Sequence, residues 1–220
     1  MPIRLLLALC LICSTAATAQ EAGVKYEWEV KRDRDGIVIS TSAVEGSPYK
    51  AVKGEMRVQG RVASLVALIE DLDACPDWAA LCKKASLVKR VSPTESFVHL
   101  YNDIPFPVSD RDAYAHIIWS SDESGRVTMT STAQAEGYEL TKAVRLVDAL
   151  TQWHFTDLGD GTVRVENFAH IDPNGPTPAW ITNLLLVDSP FDSMTEMRSL
   201  IEGGAYADVE IEFVSNWLKQ

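Results

Sequence analysis

Beyond its first twenty residues this sequence has no apolar run that could cross a bilayer as a helix, which takes about 20 residues. It is poor in positive charge, with 20 Lys and Arg against 31 Asp and Glu and a formal net charge of −11. So acidic a chain repels polyanions, which excludes nucleic acid as a partner and requires any membrane contact to be apolar and transient. It has four cysteines and four histidines, and no His or further Cys lies within short-motif spacing of the pair Cys75 and Cys82, so a metal site is not expected there. G-x-S-x-G, H-E-x-x-H, P-loop and G-x-G-x-x-G motifs are all absent. The common hydrolase, zinc-protease, NTPase and dinucleotide chemistries are therefore not expected, and neither is a cofactor. There is no repeat, no low-complexity tract and no linker, so the chain reads as a single domain.

What is present begins with a leader. Arg4 supplies a positive start, Leu5 to Cys13 an apolar core, and Ala17-Thr18-Ala19 a small-residue cleavage site. Residues 1–19 therefore read as a secretory signal peptide, and the expected location is the periplasm or outside the cell. Removing the leader takes away Arg4 and no acid, so the mature chain carries −12. Two cysteines leave with it. Cys75 and Cys82 remain, close together in CPDWAALC. In an oxidising compartment they are expected to form a disulfide; two buried thiols or part of a metal site are the alternatives.

The periodicity gives an order of elements. Tyr26 to Val30, Ile37 to Thr41 and Tyr49 to Val58 read as strands. After Gly60, the positions Val62, Leu65, Val66 and Ile69 recur at helical spacing. Hairpins follow: Leu87 to Val91 with Glu95 to Tyr101, Asp112 to Ser120 with Arg126 to Gln134, and Val144 to Phe155 with Thr162 to Ile171. A long apolar helix closes the order. Thr177 is its cap, Pro178 its first residue, and a kink or restart falls at Ser189-Pro190. Gly203-Gly204 ends it. Residues 205–220 form a tail that fits helix better than strand.

One strand carries a charge on an apolar face. Arg111, Ala113, Ala115, Ile117 and Trp119 share one side by alternation. Asp112, Tyr114 and His116 share the other, which reads as the outward face. Small residues on a core-facing strand leave space, here beside a guanidinium. A buried arginine needs a partner: a carboxylate such as an acid on a neighbouring strand, a carbonyl, water, or the polar head of a ligand. Asn167 stands among Val163, Val165, Ala169 and Ile171 in the same manner. The loop DIPFPV before Arg111 sets Ile104 and Phe106 between prolines, apolar residues where a surface loop is expected.

The runs DIPFPVSDRDAY, LTQWHF and DPNGPTPAWITN, together with CPDW at 75–78, resemble the START domains, the steroidogenic-acute-regulatory-related lipid-transfer family. The resemblance covers roughly residues 24–202 in matching order, within a domain of residues 20–204. It implies an α+β helix-grip fold, in which a curved antiparallel sheet wraps a long C-terminal helix and encloses an apolar cavity for one lipid, fatty acid or sterol. Arg111 matches the family's cavity arginine. The preceding strand, Phe97 to Tyr101, offers it no acid at the matching place, so Arg111 stands free for an acidic head group. On this reading Arg111 and Asn167 orient the head, and Ala113 and Ala115 make room. Ile117, Met129, Val165, Trp180, Leu184 and Val187 line the apolar part, while Ile104 and Phe106 form the rim. The expected function is binding, and transfer, of a hydrophobic ligand by a monomer without catalysis. Two alternatives stand beside it: a cyclase- or aromatase-like enzyme using the same cavity, and an interaction module whose core is filled.

Overall fold

The computed structural model describes residues 25–175, 181 and 184–219. Ten strands form one antiparallel-rich sheet with helices on its concave side. In chain order β1 is Glu29–Arg34, β2 Ile37–Ser42 and β3 Ala51–Gln59. Helix α1, Val62–Glu70, follows, then a 3-10 turn at Leu72–Ala74 and the short helix α2, Cys75–Trp78. Strands β4 (Cys82–Ser92), β5 (Glu95–Asn102), β6 (Arg111–Ser121) and β7 (Val127–Ala133) form the first meander. Strands β8 (Val144–Leu146), β9 (Ala149–Asp157) and β10 (Thr162–Ile171) complete the sheet. A π-helical turn, Leu184–Asp188, leads into α3, Ser189–Glu202, and the chain ends in α4, Glu212–Trp217.

The strand order is β1-β2-β3-β10-β9-β7-β6-β5-β4, so the first three strands join the meander through β3 and β10. Two details depart from the sequence reading. The first strand begins at Glu29 instead of Tyr26, because Tyr26 and Trp28 gather with Phe168 into an aromatic cluster, with ring centroids 5.1–6.3 Å apart. It then runs through the charged stretch to Arg34, as an edge strand with one solvated side can. Val144 to Phe155 is two strands: β8 turns away and pairs in parallel with the start of β6, while β9 pairs with β7 and β10.

Helix α3 lies across β2 and β3. Its apolar stripe, Phe191, Met194, Met197 and Ile201, is buried and meets Ile39, Met56 and Val58 in one core. Gly54 on β3 permits that approach: a Cβ there would sit 2.4 Å from Met194 Sδ and 3.2 Å from Ile39 Cδ1. The helix restarts at Ser189-Pro190, where Pro occupies the first turn and needs no amide partner. The expected cap and first residue, Thr177 and Pro178, lie outside the described residues. The tail is helical at α4, with Val214 buried and Phe213 6.1 Å from Trp119. Tyr206 anchors the approach to it by donating to Asp71 at 2.7 Å. Burial, aided by that carboxylate, pushes the Tyr206 hydroxyl up to about 12, so it stays a donor.

The core occupies one end of the concave face. Val127, Phe155, Val163, Val165 and Trp119 fill it together with α1 and α3. At the other end the same strands carry alanine.

Candidate functional site

Those alanines define a cavity of about 630 Å³. Ala113 and Ala115 on β6, Ala133 on β7, Ala149 on β9 and Ala169 on β10 all line it. Each stands on a strand whose core end carries larger side chains, and the missing volume accumulates between sheet and helix. Ile181, Leu185, Leu186 and Pro190 close it from the helical side. The Cys75–Cys82 disulfide, with Cα atoms 6.0 Å apart, ties the turn that sets Trp78, Ala79, Ala80 and Leu81 in its wall. Ser193 on α3 pins that turn, accepting from Ala80 N at 2.9 Å.

Arg111 lines this cavity and is only 8% exposed. Its Nε donates to Pro173 O at 3.1 Å, and its Nη1 donates to Ser109 O. No carboxylate among the described residues pairs with it. The ion-pair alternative fails for a local reason: its cross-strand neighbour on β5 is Asn102, and the adjacent acid, Asp112, points the other way. Asn167 also lines the cavity, donating from Nδ2 to Gln152 O at 3.1 Å.

Asp112 corrects the expectation that its face looks outward. It is fully buried beneath residues 138–145. Arg145 grips it with Nε and Nη2, both at 2.9 Å; His99 Nε2 and Thr141 Oγ1 bond to it at the same distance. Burial alone would raise the Asp112 carboxyl, but the bonds from Arg145, His99 and Thr141 outweigh it and hold the group below its ordinary range. Tyr138 stacks on His99 at 4.4 Å, and Tyr114 is buried too. This is an ion-pair cluster on the convex side, separate from the cavity. The other histidines are dispersed. His116 bonds Glu95, His154 bonds Thr128 and His170 bonds Ser47. No three metal-ligating side chains come together among the described residues.

The loop before Arg111 is held by Asp110, which accepts from Tyr101 Oη at 2.7 Å and from Ile104 N at 3.1 Å. Those bonds keep the Asp110 carboxyl below its usual range. Ile104 turns inward, 7% exposed, and lines the cavity. Phe106 does the opposite: it is 92% exposed and lies off the cavity wall. The two expected rim residues thus face opposite ways, with Pro105 between them and a cis Phe106–Pro107 bond after the second.

The remaining expected positions divide. Ile117 and Met129 line a second, smaller cavity of about 190 Å³ next to the first. Val165 shares the face of Asn167 but sits at the filled end, opposite Phe155 and Met56, so it belongs to the core. Val187 packs half-buried against the core and not on the cavity. Trp180 and the Leu184 side chain lie outside the described residues. Leu146, Ala149, Pro173, Trp78, Ser131 and Thr151 line the site without having been singled out. Strand alternation, which puts Ser131 on the face of Ala133 in β7 and Thr151 on the face of Ala149 in β9, was the signal available for several of them. Pro173 arrives through a loop and Trp78 at the end of the four-residue helix α2, neither of which periodicity describes.

A curved sheet gripping a C-terminal helix over an apolar cavity with an inward arginine defines a helix-grip protein built on a lipid-binding fold. The START domain family model matches residues 7–200, and the chain belongs to that family. It is similar to the STAR-related lipid transfer protein of Xanthomonas axonopodis, at 30% identity and a TM-score of 0.73, over 79% of this chain and 98% of that one. Human STARD10 shares the fold at 17% identity and a TM-score of 0.70, over 87% of this chain and 77% of that one. An uncharacterised protein of Pseudomonas aeruginosa is 28% identical over 177 residues, covering 80% of this chain and 87% of that one.

Proposed function

We propose that this chain is an exported carrier, acting as a monomer and without catalysis, for a hydrophobic ligand with an anionic head group. The observation that carries this reading is Arg111: a charged side chain within a cavity rimmed by alanine, leucine and isoleucine, satisfied by two carbonyls and by no acid among the described residues. An arginine so placed favours an anion, because a charge in a low-dielectric site gains most from a charged partner. The rest of the wall supplies apolar burial, at about 25 cal/mol per Å² before the costs of ordering. Export is supported by the leader and by the single disulfide. The cavity is at odds with a filled-core interaction module.

Native mass spectrometry of protein purified from its own host, followed by solvent extraction, tests the proposal. The expected result is one co-purifying anionic lipid or fatty acid, released unchanged in mass. A neutral ligand would overturn the head-group assignment. A bound molecule recovered with altered mass would indicate an enzyme.

A further inference from the structure

The second cavity, of about 190 Å³, is too large for a packing flaw and too small for a ligand of its own. Protein interiors are close-packed, with few voids larger than a water molecule. Cavities that hold a whole ligand run to roughly 300–1,000 Å³. An apolar void of about 150 Å³ stays dry and takes up one small apolar group. The second cavity is of that order, so it fits part of a ligand held mainly next door.

Its position says which part. On β6, Arg111, Ala113 and Ala115 line the first cavity and Ile117 the second. On β7, Ala133 lines the first, Ser131 both and Met129 the second. On β5, Leu100 lines both, while Val98 and Ser96 line only the second. Ala133 stands opposite Ala115 and Ser131 opposite Ile117, while Leu100 stands opposite Ala113 and Ser96 opposite Ile117. All three strands therefore pass from one cavity to the other in the direction away from Arg111. Ser131, Thr151 and Trp153 border both, so no more than a layer of side chains divides them. The charged residues of the second cavity's described wall, Glu70 and Arg90, pair with each other at 2.8 Å. Glu70 also accepts from Trp119 Nε1 at 2.7 Å. With its charges already paired, this cavity fits an apolar group and not a second head group.

We infer that the apolar body of the ligand runs through the first cavity and ends in the second, so that the protein selects long, unbranched acyl chains. This rests on the carrier reading proposed above and specifies its ligand. From Arg111 to Ile117 is six residues of β6, roughly 20 Å of strand at about 3.3 Å per residue. An extended chain of roughly sixteen carbons covers that distance, its bonds of about 1.5 Å being foreshortened by the zigzag. Ala85, 4% exposed, and Ser96, 2% exposed, line the second cavity and not the first. Their small side chains leave the room that the chain end takes.

Titration calorimetry on the full mature chain with dodecanoic, tetradecanoic and hexadecanoic acids tests this. Affinity is expected to rise about fourfold per methylene up to hexadecanoic acid. Ala85→Leu and, separately, Ser96→Leu should weaken hexadecanoic acid by about tenfold or more and leave dodecanoic acid within about twofold. Ala115→Leu, in the first cavity, should weaken all three acids. The two second-cavity substitutions lie on different strands, so either one that folds, as thermal unfolding shows, decides the matter. Affinity that stops rising at dodecanoic acid in the unmodified chain would overturn the inference and leave the carrier reading intact. Second-cavity variants that change all three acids alike, or none, would overturn it too, because that cavity then only packs. If none of the acids binds the unmodified chain, the carrier reading itself fails.

Discussion

Two arginines on neighbouring elements show how a single residue's surroundings decide its role. Arg145 is paired, buried and bidentate on Asp112. Arg111 is buried and, among the described residues, bonded only to carbonyls. The first holds the fold, and on the proposed reading the second is available to a ligand. Arg111→Leu should therefore weaken binding of a long-chain carboxylate by about tenfold or more, since hydrogen bonds to charged groups contribute about 1.5–3 kcal/mol. It should spare a neutral ester of the same chain, which titration with both ligands would show. Asp112→Asn should act on stability instead. It strands the Arg145 charge, at a cost of about 3–5 kcal/mol at neutral pH. Asp112 has a folded pKa lowered below its unfolded value, so its stabilisation is present above that unfolded value and is lost as pH falls through the folded one. Denaturant melts of the two chains should thus converge as pH drops below about 4.

Elements, unlike single side chains, are where the sequence spoke most clearly. Alternation located the central strands, and the Ser189-Pro190 signal located the start of α3. Periodicity could not show that one strand face serves two purposes along its length. Val165 and Ala169 lie on the same side of β10, four residues apart, and both pack in the core, yet only Ala169 also lines the cavity. Only side-chain volume separates them. Nor could alternation reveal that the 138–145 segment covers the convex face at Asp112, because that contact is set by the chain's return path. Two short elements can be tested directly. Removing the disulfide by Cys75→Ser with Cys82→Ser should cost about 2–3 kcal/mol, the value for so short a loop in the chain-entropy model. Gly54→Ala pushes a methyl group against Met194 and Ile39 and should cost about 1–3 kcal/mol by overpacking, with α3 shifted off β3. Thermal or denaturant unfolding measures both.

At the scale of the whole molecule, the sheet, helix and cavity make a lipid-binding fold, and on the proposed carrier reading delivery requires the ligand to reach a bilayer. No helix among the described residues is long and apolar enough to cross a membrane. The chain is strongly acidic, so anionic surfaces repel it. Phe106 offers the opposite tendency at one point: it is almost wholly exposed, two residues from Ile104, whose side chain is in the cavity wall. Seating a phenyl ring in a membrane interface is worth about 1.5–3 kcal/mol. That is sufficient for a brief contact that brings the loop, and the cavity behind it, to the lipid. Phe106→Ser should then slow transfer of a fluorescent fatty acid between neutral vesicles by about tenfold. It should leave equilibrium affinity in solution unchanged, because the ring lies off the cavity wall. Wild-type transfer from anionic vesicles should be slower and should recover as salt screens the repulsion. A variant that transfers at the wild-type rate would place the membrane contact elsewhere on the surface, and one that loses affinity as well would mean that Phe106 acts through the position of Ile104.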